Sequence, residues 1–209
     1  MAYARVGFYT VKPGTLDAYL QKAQVELVPQ TQQQPGFRLY FSIRNGEDCF
    51  VSVTVWDDKV QAEQASERLS GWVRTEMGPS LISVDNHIGE MVVSRVPSGD
   101  ISGYARVALW RFKPGTSDAV AEQVREELVP RMERDPGFVG YVAVRTGVAS
   151  AISVSAHASQ EQARMAGERA AAWVSEHVGP SIESVERQEG EIKGRSSVEC
   201  EPDKSGPAT

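Results

Sequence analysis

A chain of 209 residues with a net charge of -6 and a pI near 5.2 argues against a nucleic-acid binder, which usually shows a basic patch or stripe. Its two cysteines, Cys49 and Cys200, are too few for a disulfide framework. No run approaches the ~20 apolar residues of a membrane span, and Met1 to Val6 shows no basic region leading into an apolar run. The expectation is a cytoplasmic protein with no nucleic-acid or membrane partner.

The first predicted element, Tyr3 to Val11, is aromatic, β-branched or small and stops at Pro13-Gly14, which reads as a strand and a turn. Thr15 offers a hydroxyl N-cap, and Leu16, Tyr19, Leu20, Ala23 and Leu27 follow at helical spacing. Pro29 has no N–H for the ladder and should kink or restart this helix, and Pro35-Gly36 should end it.

From Phe37 to Arg44 the chain alternates, with Phe37, Leu39, Phe41 and Ile43 on one side and Arg38, Tyr40, Ser42 and Arg44 on the other. Asn45-Gly46, both tolerant of positive φ, signals a hairpin. The returning strand, Phe50 to Trp56, puts Val51, Val53 and Val55 opposite Ser52, Thr54 and Trp56. Asp57 and Asp58 should cap a second helix with the stripe Ala62, Ala65, Leu69, Trp72, Val73 and Met77, and a last strand should lie within Val84 to Ser94.

Everything then recurs at an offset of about 101 residues. Tyr3-Ala4-Arg5-Val6 returns as Tyr104-Ala105-Arg106-Val107, Pro35-Gly36-Phe37 as Pro136-Gly137-Phe138, and Gly78-Pro79-Ser80 as Gly179-Pro180-Ser181. Roughly 40% of paired positions are identical without a gap, so one small fold is written twice. The predicted layout is a first repeat over 1–94, a linker over 95–103, a second repeat over 104–195 and a disordered tail over 196–209. Strand, helix, strand, strand, helix, strand is the ferredoxin-like βαββαβ plan. Its sheet is covered by helices on one face only, so the two copies should pack their bare faces together. The fold class is therefore α+β: tandem ferredoxin-like repeats forming an intramolecular dimeric α+β barrel. Further self-association of the whole chain is left open.

The Ala-Arg-Val strand, the Pro-Gly turn, the Leu-Val-Pro helix, Pro-Gly-Phe before strand two and the Trp closing strand three resemble the antibiotic biosynthesis monooxygenase-like family of the dimeric α+β barrel superfamily. The resemblance spans nearly all of both copies. It implies a cofactor-independent oxygenase acting with dioxygen on an electron-rich small aromatic, of hydroquinone or anthrone type, with no cofactor required. A haem-degrading branch of the family uses an Asn, a Trp and a His whose positions fall near Gly7, Ala65 and Thr75, or near Ala108, Ala166 and Glu176 with His177 one place off, so that pattern is largely missing. The rival reading is a non-catalytic small-molecule binding or stress-associated module, and haem binding or degradation stands third.

No local His/Cys set has metal-site spacing, so no metal is expected. The polar face of strand three, Ser52, Thr54 and Trp56, becomes Ser153, Ser155 and His157, which suits a pocket with an aromatic plate and hydroxyls. Trp56 equally reads as core beneath the second helix. His157 is a candidate base, and His177 lies one turn from Trp173 on the same helical face. Tyr40 and Tyr141 persist near Arg44 and Arg145, as phenolate-binding donors or as anchors between the halves. Arg5 and Arg106 need a carboxylate or a ligand, with Glu90 and Glu191 as expected partners. Under the oxygenase reading His157 is the base, Tyr141 and Arg106 are the donors, and Trp173, His177, Ser153, Ser155, Trp56 and Tyr40 contact substrate. Phe50 becomes Ala151, which should leave more room in the second copy, so the site is expected there.

Overall fold

The computed structural model describes residues 1–96 and 101–197. The expected linker residues 97–100 and tail residues 198–209 lie outside them. The first repeat contains β1 (Tyr3–Val11), α1 (Leu16–Lys22), α2 (Val28–Gln32), β2 (Phe37–Arg44), β3 (Cys49–Trp56), α3 (Lys59–Trp72) and β4 (Leu81–Arg95). The second contains β5 (Tyr104–Phe112), α4 (Ser117–Gln123), α5 (Val129–Met132), β6 (Phe138–Gly147), β7 (Ser150–His157), α6 (Gln160–His177) and β8 (Ile182–Ser197). β4 starts three residues before its predicted position, and β8 runs two residues into the expected tail.

The eight strands close into one barrel in the order β1-β3-β2-β8-β5-β7-β6-β4, with β4 returning to β1. Each repeat supplies a four-stranded antiparallel sheet, and the last strand of each crosses to pair with the second strand of the other, β4 with β6 and β8 with β2. These crossings depend on repeated glycines. A β-carbon at Gly89 would strike the Arg145 carbonyl, and one at Gly190 the Arg44 carbonyl. Only a bare Cα lets the strand swing into the foreign sheet there.

The period-two strands deliver their apolar faces to the barrel interior. Val6, Phe41, Val51 and Val53 meet Val107, Val142, Val144 and Val154 in a single core that neither repeat could build alone. A domain of this size is marginal by itself, and sharing one core removes that limit. The polar faces point outward beneath the helices, where separate cores form in each half.

Four local expectations are corrected. Phe37 does not join Leu39 inside the barrel, because the β2–β3 register shifts between them and this bulge turns Phe37 outward onto Trp56, at 5.5 Å and 75°. Thr15 makes no side-chain cap; its hydroxyl donates to the Lys12 carbonyl at 2.7 Å and closes the turn. Of the two aspartates, Asp58 caps α3 by accepting from the Gln61 N–H, while Asp57 pairs with Arg38. The Asn45-Gly46 hairpin exists as a four-residue loop, with neither residue at positive φ.

Pro29 acts as predicted, and Pro130 at the matching position of the second repeat does the same. Before each, the helix widens into a π-turn, Ala23–Leu27 and Val124–Leu128, and α2 and α5 then begin with the proline in their first turn. The wider turn releases the carbonyl that the ring would otherwise strike.

Candidate functional site

Between the outer face of β5, β6 and β7 and the helices of the second repeat lie two adjoining cavities, of about 70 and about 50 Å³. They share Trp110, Leu128, Tyr141, Ser153 and Val174 as common walls. The larger is polar at one end, with Arg106, Ser155, Gly167 and Arg187; the smaller is apolar, with Phe112, Val120, Ala151 and Ile182.

Strand alternation explains who is there. Arg106 and Trp110 on β5, Tyr141 on β6, and Ser153 and Ser155 on β7 all take the face opposite the valines of the barrel core. Arg106 pairs in register with Ser155, so the guanidinium and the hydroxyl belong to one rung. The Arg106 side chain crosses α6 where residue 167 is glycine, and a β-carbon there would fall on the guanidinium. It donates to the Ala163 carbonyl at 3.3 Å and lies 3.7 Å from Glu189.

The neutral donors form a small network. The Trp110 indole N–H donates to Ser153 Oγ at 2.9 Å. Burial pushes the Tyr141 phenol up to about 12, more than the neighbouring Ser153 hydroxyl pulls it down, so it stays protonated at neutral pH. The Ser153 and Tyr141 hydroxyls line both cavities, and each carries one O–H. The Arg187 guanidinium caps the Trp110 ring at 5.8 Å from its centroid.

Of the expected site residues, Arg106, Tyr141, Ser153 and Ser155 are therefore brought together. His157, Trp173 and His177 are not among the wall residues of either cavity. His157 is fully buried at the end of β7, edge-on to Phe138 at 6.1 Å, with neither ring nitrogen partnered among the described residues. Burial lowers its pKa, with Arg106 and Arg169 adding to the effect and Asp135 opposing it. Trp173 and His177 stack on each other at 4.8 Å, and the His177 ring bonds to the Trp173 carbonyl. In the first repeat Trp56 is fully buried among Phe37, Ala62 and Ala65, the core role. Tyr40 lies in that same cluster, its pKa raised to about 12 by burial. Neither tyrosine lines the shared barrel core; both lie on strands that pair across the halves, Tyr40 opposite Ser196 and Tyr141 opposite Arg95, and Tyr141 packs in a cluster with Val93 of the first repeat.

Arg5 and Arg106 do not pair with Glu90 and Glu191. Glu90 lies 4.0 Å from Arg145 and Glu191 pairs with Lys193. Arg5 instead donates to the hydroxyls of Ser66 and Tyr9, at 3.2 and 2.8 Å. The wall residues missed from the sequence are Trp110, Gly167 and Arg187. The signal that finds them is exchange between the repeats, Tyr9 to Trp110, Ser66 to Gly167 and Asn86 to Arg187.

Residues 2–71 match the family model for antibiotic biosynthesis monooxygenase. No curated protein matches the chain. Among solved structures, a candidate monooxygenase from Lactobacillus acidophilus NCFM superposes with a TM-score of 0.74 at 12% identity, covering 94% of this chain and 96% of that one. A candidate monooxygenase from Fusobacterium nucleatum subsp. nucleatum ATCC 25586 gives 0.73 at 13% identity, with 94% of each chain covered. An anthrone oxidase-like protein gives 0.66 at 12% identity, covering 94% and 93%. At such identities the likeness is one of fold. Residues 2–71 thus carry an antibiotic biosynthesis monooxygenase domain, and the second repeat closes the same α+β barrel with it.

Proposed function

We propose that the chain is a cofactor-independent oxygenase that oxidises an electron-rich aromatic, a hydroquinone or anthrone, in the cavity of its second half. The observation that carries this reading is the cavity wall itself: the Arg106 guanidinium, the Ser153 and Tyr141 hydroxyls and an indole plate facing aliphatic side chains, in a chain with a monooxygenase-family domain. The anthrone oxidase-like protein of similar fold supports the choice of substrate class.

The chemistry follows from these groups. A substrate oxygen placed between Arg106 and the Ser153–Tyr141 pair becomes more acidic, because its anion is held by a cation and a neutral donor. Among the described residues the walls contain no carboxylate and no imidazole, so the proton leaves to water. For an anthrone, the resulting carbanion–enolate reduces dioxygen and forms a C–O bond at the ring carbon. Protonation gives a hydroperoxide, and loss of water leaves the carbonyl. The CH₂ carbon is oxidised by four electrons and O₂ is reduced by four, one oxygen atom going to product and one to water.

Oxygen uptake by the metal-free protein over a panel of anthrones and hydroquinones tests this. The expected result is heat-labile uptake that falls on the order of 10²-fold in Arg106→Met and less in Tyr141→Phe. Absence of uptake across the panel, with saturable binding of the same compounds, would replace the oxygenase with the binding module.

A further inference from the structure

The Trp110 indole stands between the two cavities. It is a wall of both, and three contacts hold it there. Its N–H is pinned by Ser153 at 2.9 Å, Arg187 caps the ring, and Phe112 stacks parallel to it at 6.4 Å and 4°. On one side the walls carry Arg106, Ser155 and Arg187; on the other they are Phe112, Val120, Val124 and Ile182. Tyr141 and Ser153 face both sides, so a ligand oxygen held by them sits at the boundary.

The first half shows what closing this passage looks like. There Tyr9 takes the place of Trp110, donates no bond to the Ser153 equivalent, and lies stacked on Phe50 at 4.5 Å and 7°. Phe50 fills the position that Ala151 leaves open in the second half.

We propose that Trp110 is the specificity-determining partition of a two-compartment site, and that the ligand is an amphipathic phenol. Its oxygen lies at the Arg106 side, and an apolar extension passes the indole into the compartment bounded by Phe112, Val120 and Ile182. This rests on the oxygenase reading only for the phenolic head. The indole sets how large an extension enters, because the passage widens only if the ring leaves Ser153.

Calorimetric titration with a series of 4-alkylphenols tests it by binding alone, without turnover. Wild-type affinity should rise about four-fold per added methylene until the apolar compartment fills. Trp110→Ala should bind phenol more weakly and 4-hexylphenol at least as tightly, so the 4-hexylphenol-to-phenol affinity ratio rises about ten-fold or more. Trp110→Phe, which keeps one aromatic ring and loses the N–H to Ser153 and the second ring, should move the ratio in the same direction and guards against a misfolded alanine variant. An unchanged ratio in both variants, or no dependence on chain length in the wild type, overturns the partition. Chain-length-dependent binding without oxygen uptake would uphold the partition while removing the oxygenase. Oxygen uptake with no chain-length effect would do the reverse.

Discussion

The two halves of the barrel share a backbone plan and treat the space under their helices oppositely. In the first half Tyr9, Tyr19 and Phe50 stack into a solid cluster with Leu16 and Leu69. At the matching positions the second half has Trp110, Val120, Ala151, Ser117 and Ala170, and four of those five are smaller. Four of the five also line the smaller cavity, and Ala170 the larger. Even the conserved arginine follows the split. Arg5 is 2% exposed and spent on Ser66 and Tyr9, whereas Arg106 crosses Gly167 and faces the cavity. One copy is filled and the other is hollow, and the shared barrel core supports both.

The comparison breaks most severely if the stacked cluster is emptied. Phe50→Ala should cost about 3–5 kcal/mol, the range for removing a buried aromatic ring, measured by chemical denaturation. A cost below about 1 kcal/mol would show that the first half is already loose. The reverse exchange, Ala151→Phe, should place a ring against Trp110 and close the apolar compartment. Turnover of a three-ring substrate should fall on the order of 10²-fold, as expected when the reacting carbon is displaced by about an ångström, with the unfolding midpoint unchanged or raised. Retained turnover would move the site out of this cavity.

Gly167→Ser would rebuild the first-half arrangement around the arginine. The new side chain must displace the Arg106 guanidinium, and a serine Oγ there can accept from Nε as Ser66 does from Arg5. KM for an ionisable phenol should rise about ten-fold, the value of roughly one charge-assisted hydrogen bond, while a neutral methyl ether of the same phenol should bind unchanged. Equal weakening of both ligands would mean that the substitution disturbs packing and not the cation.

How much of this was legible in the chain depends on whether a position repeats. The offset, the strand faces and the helix break at Pro29 and Pro130 follow from patterns present twice, and the barrel follows from two half-covered sheets. Phe37 was misplaced because a bulge inserts one residue into a period-two count, and neither composition nor spacing marks it. Arg106, Tyr141, Ser153 and Ser155 were visible because the polar strand face recurs. Trp110 and Gly167 were hidden because their meaning lies in the exchange with Tyr9 and Ser66, and because a missing β-carbon leaves no trace until α6 is laid over β5. His157 drew attention as a polar ring at a strand end, yet that strand end lies under a helix with no exposure.

That burial makes His157 the most delicate test of the comparison, since the first half places an uncharged Trp56 there. Asp135 is the group that favours its protonation, and Arg106 and Arg169 oppose it. With the folded pKa depressed below 6.5, the unfolded chain takes up a proton first as the pH falls. The unfolded state then binds more protons, so stability declines below about pH 6.5 and levels off once the folded ring also protonates. Above that pH both states are neutral and His157 contributes no slope. His157→Phe, which keeps a planar ring without ionisable nitrogens, should flatten the unfolding midpoint between pH 7 and 5 relative to wild type. The carboxylates are common to both proteins, so the difference between the two curves isolates the imidazole. Parallel curves would mean that His157 gains a partner for its proton on acidification, and that this strand end is not the dry site that Trp56 occupies in the other half.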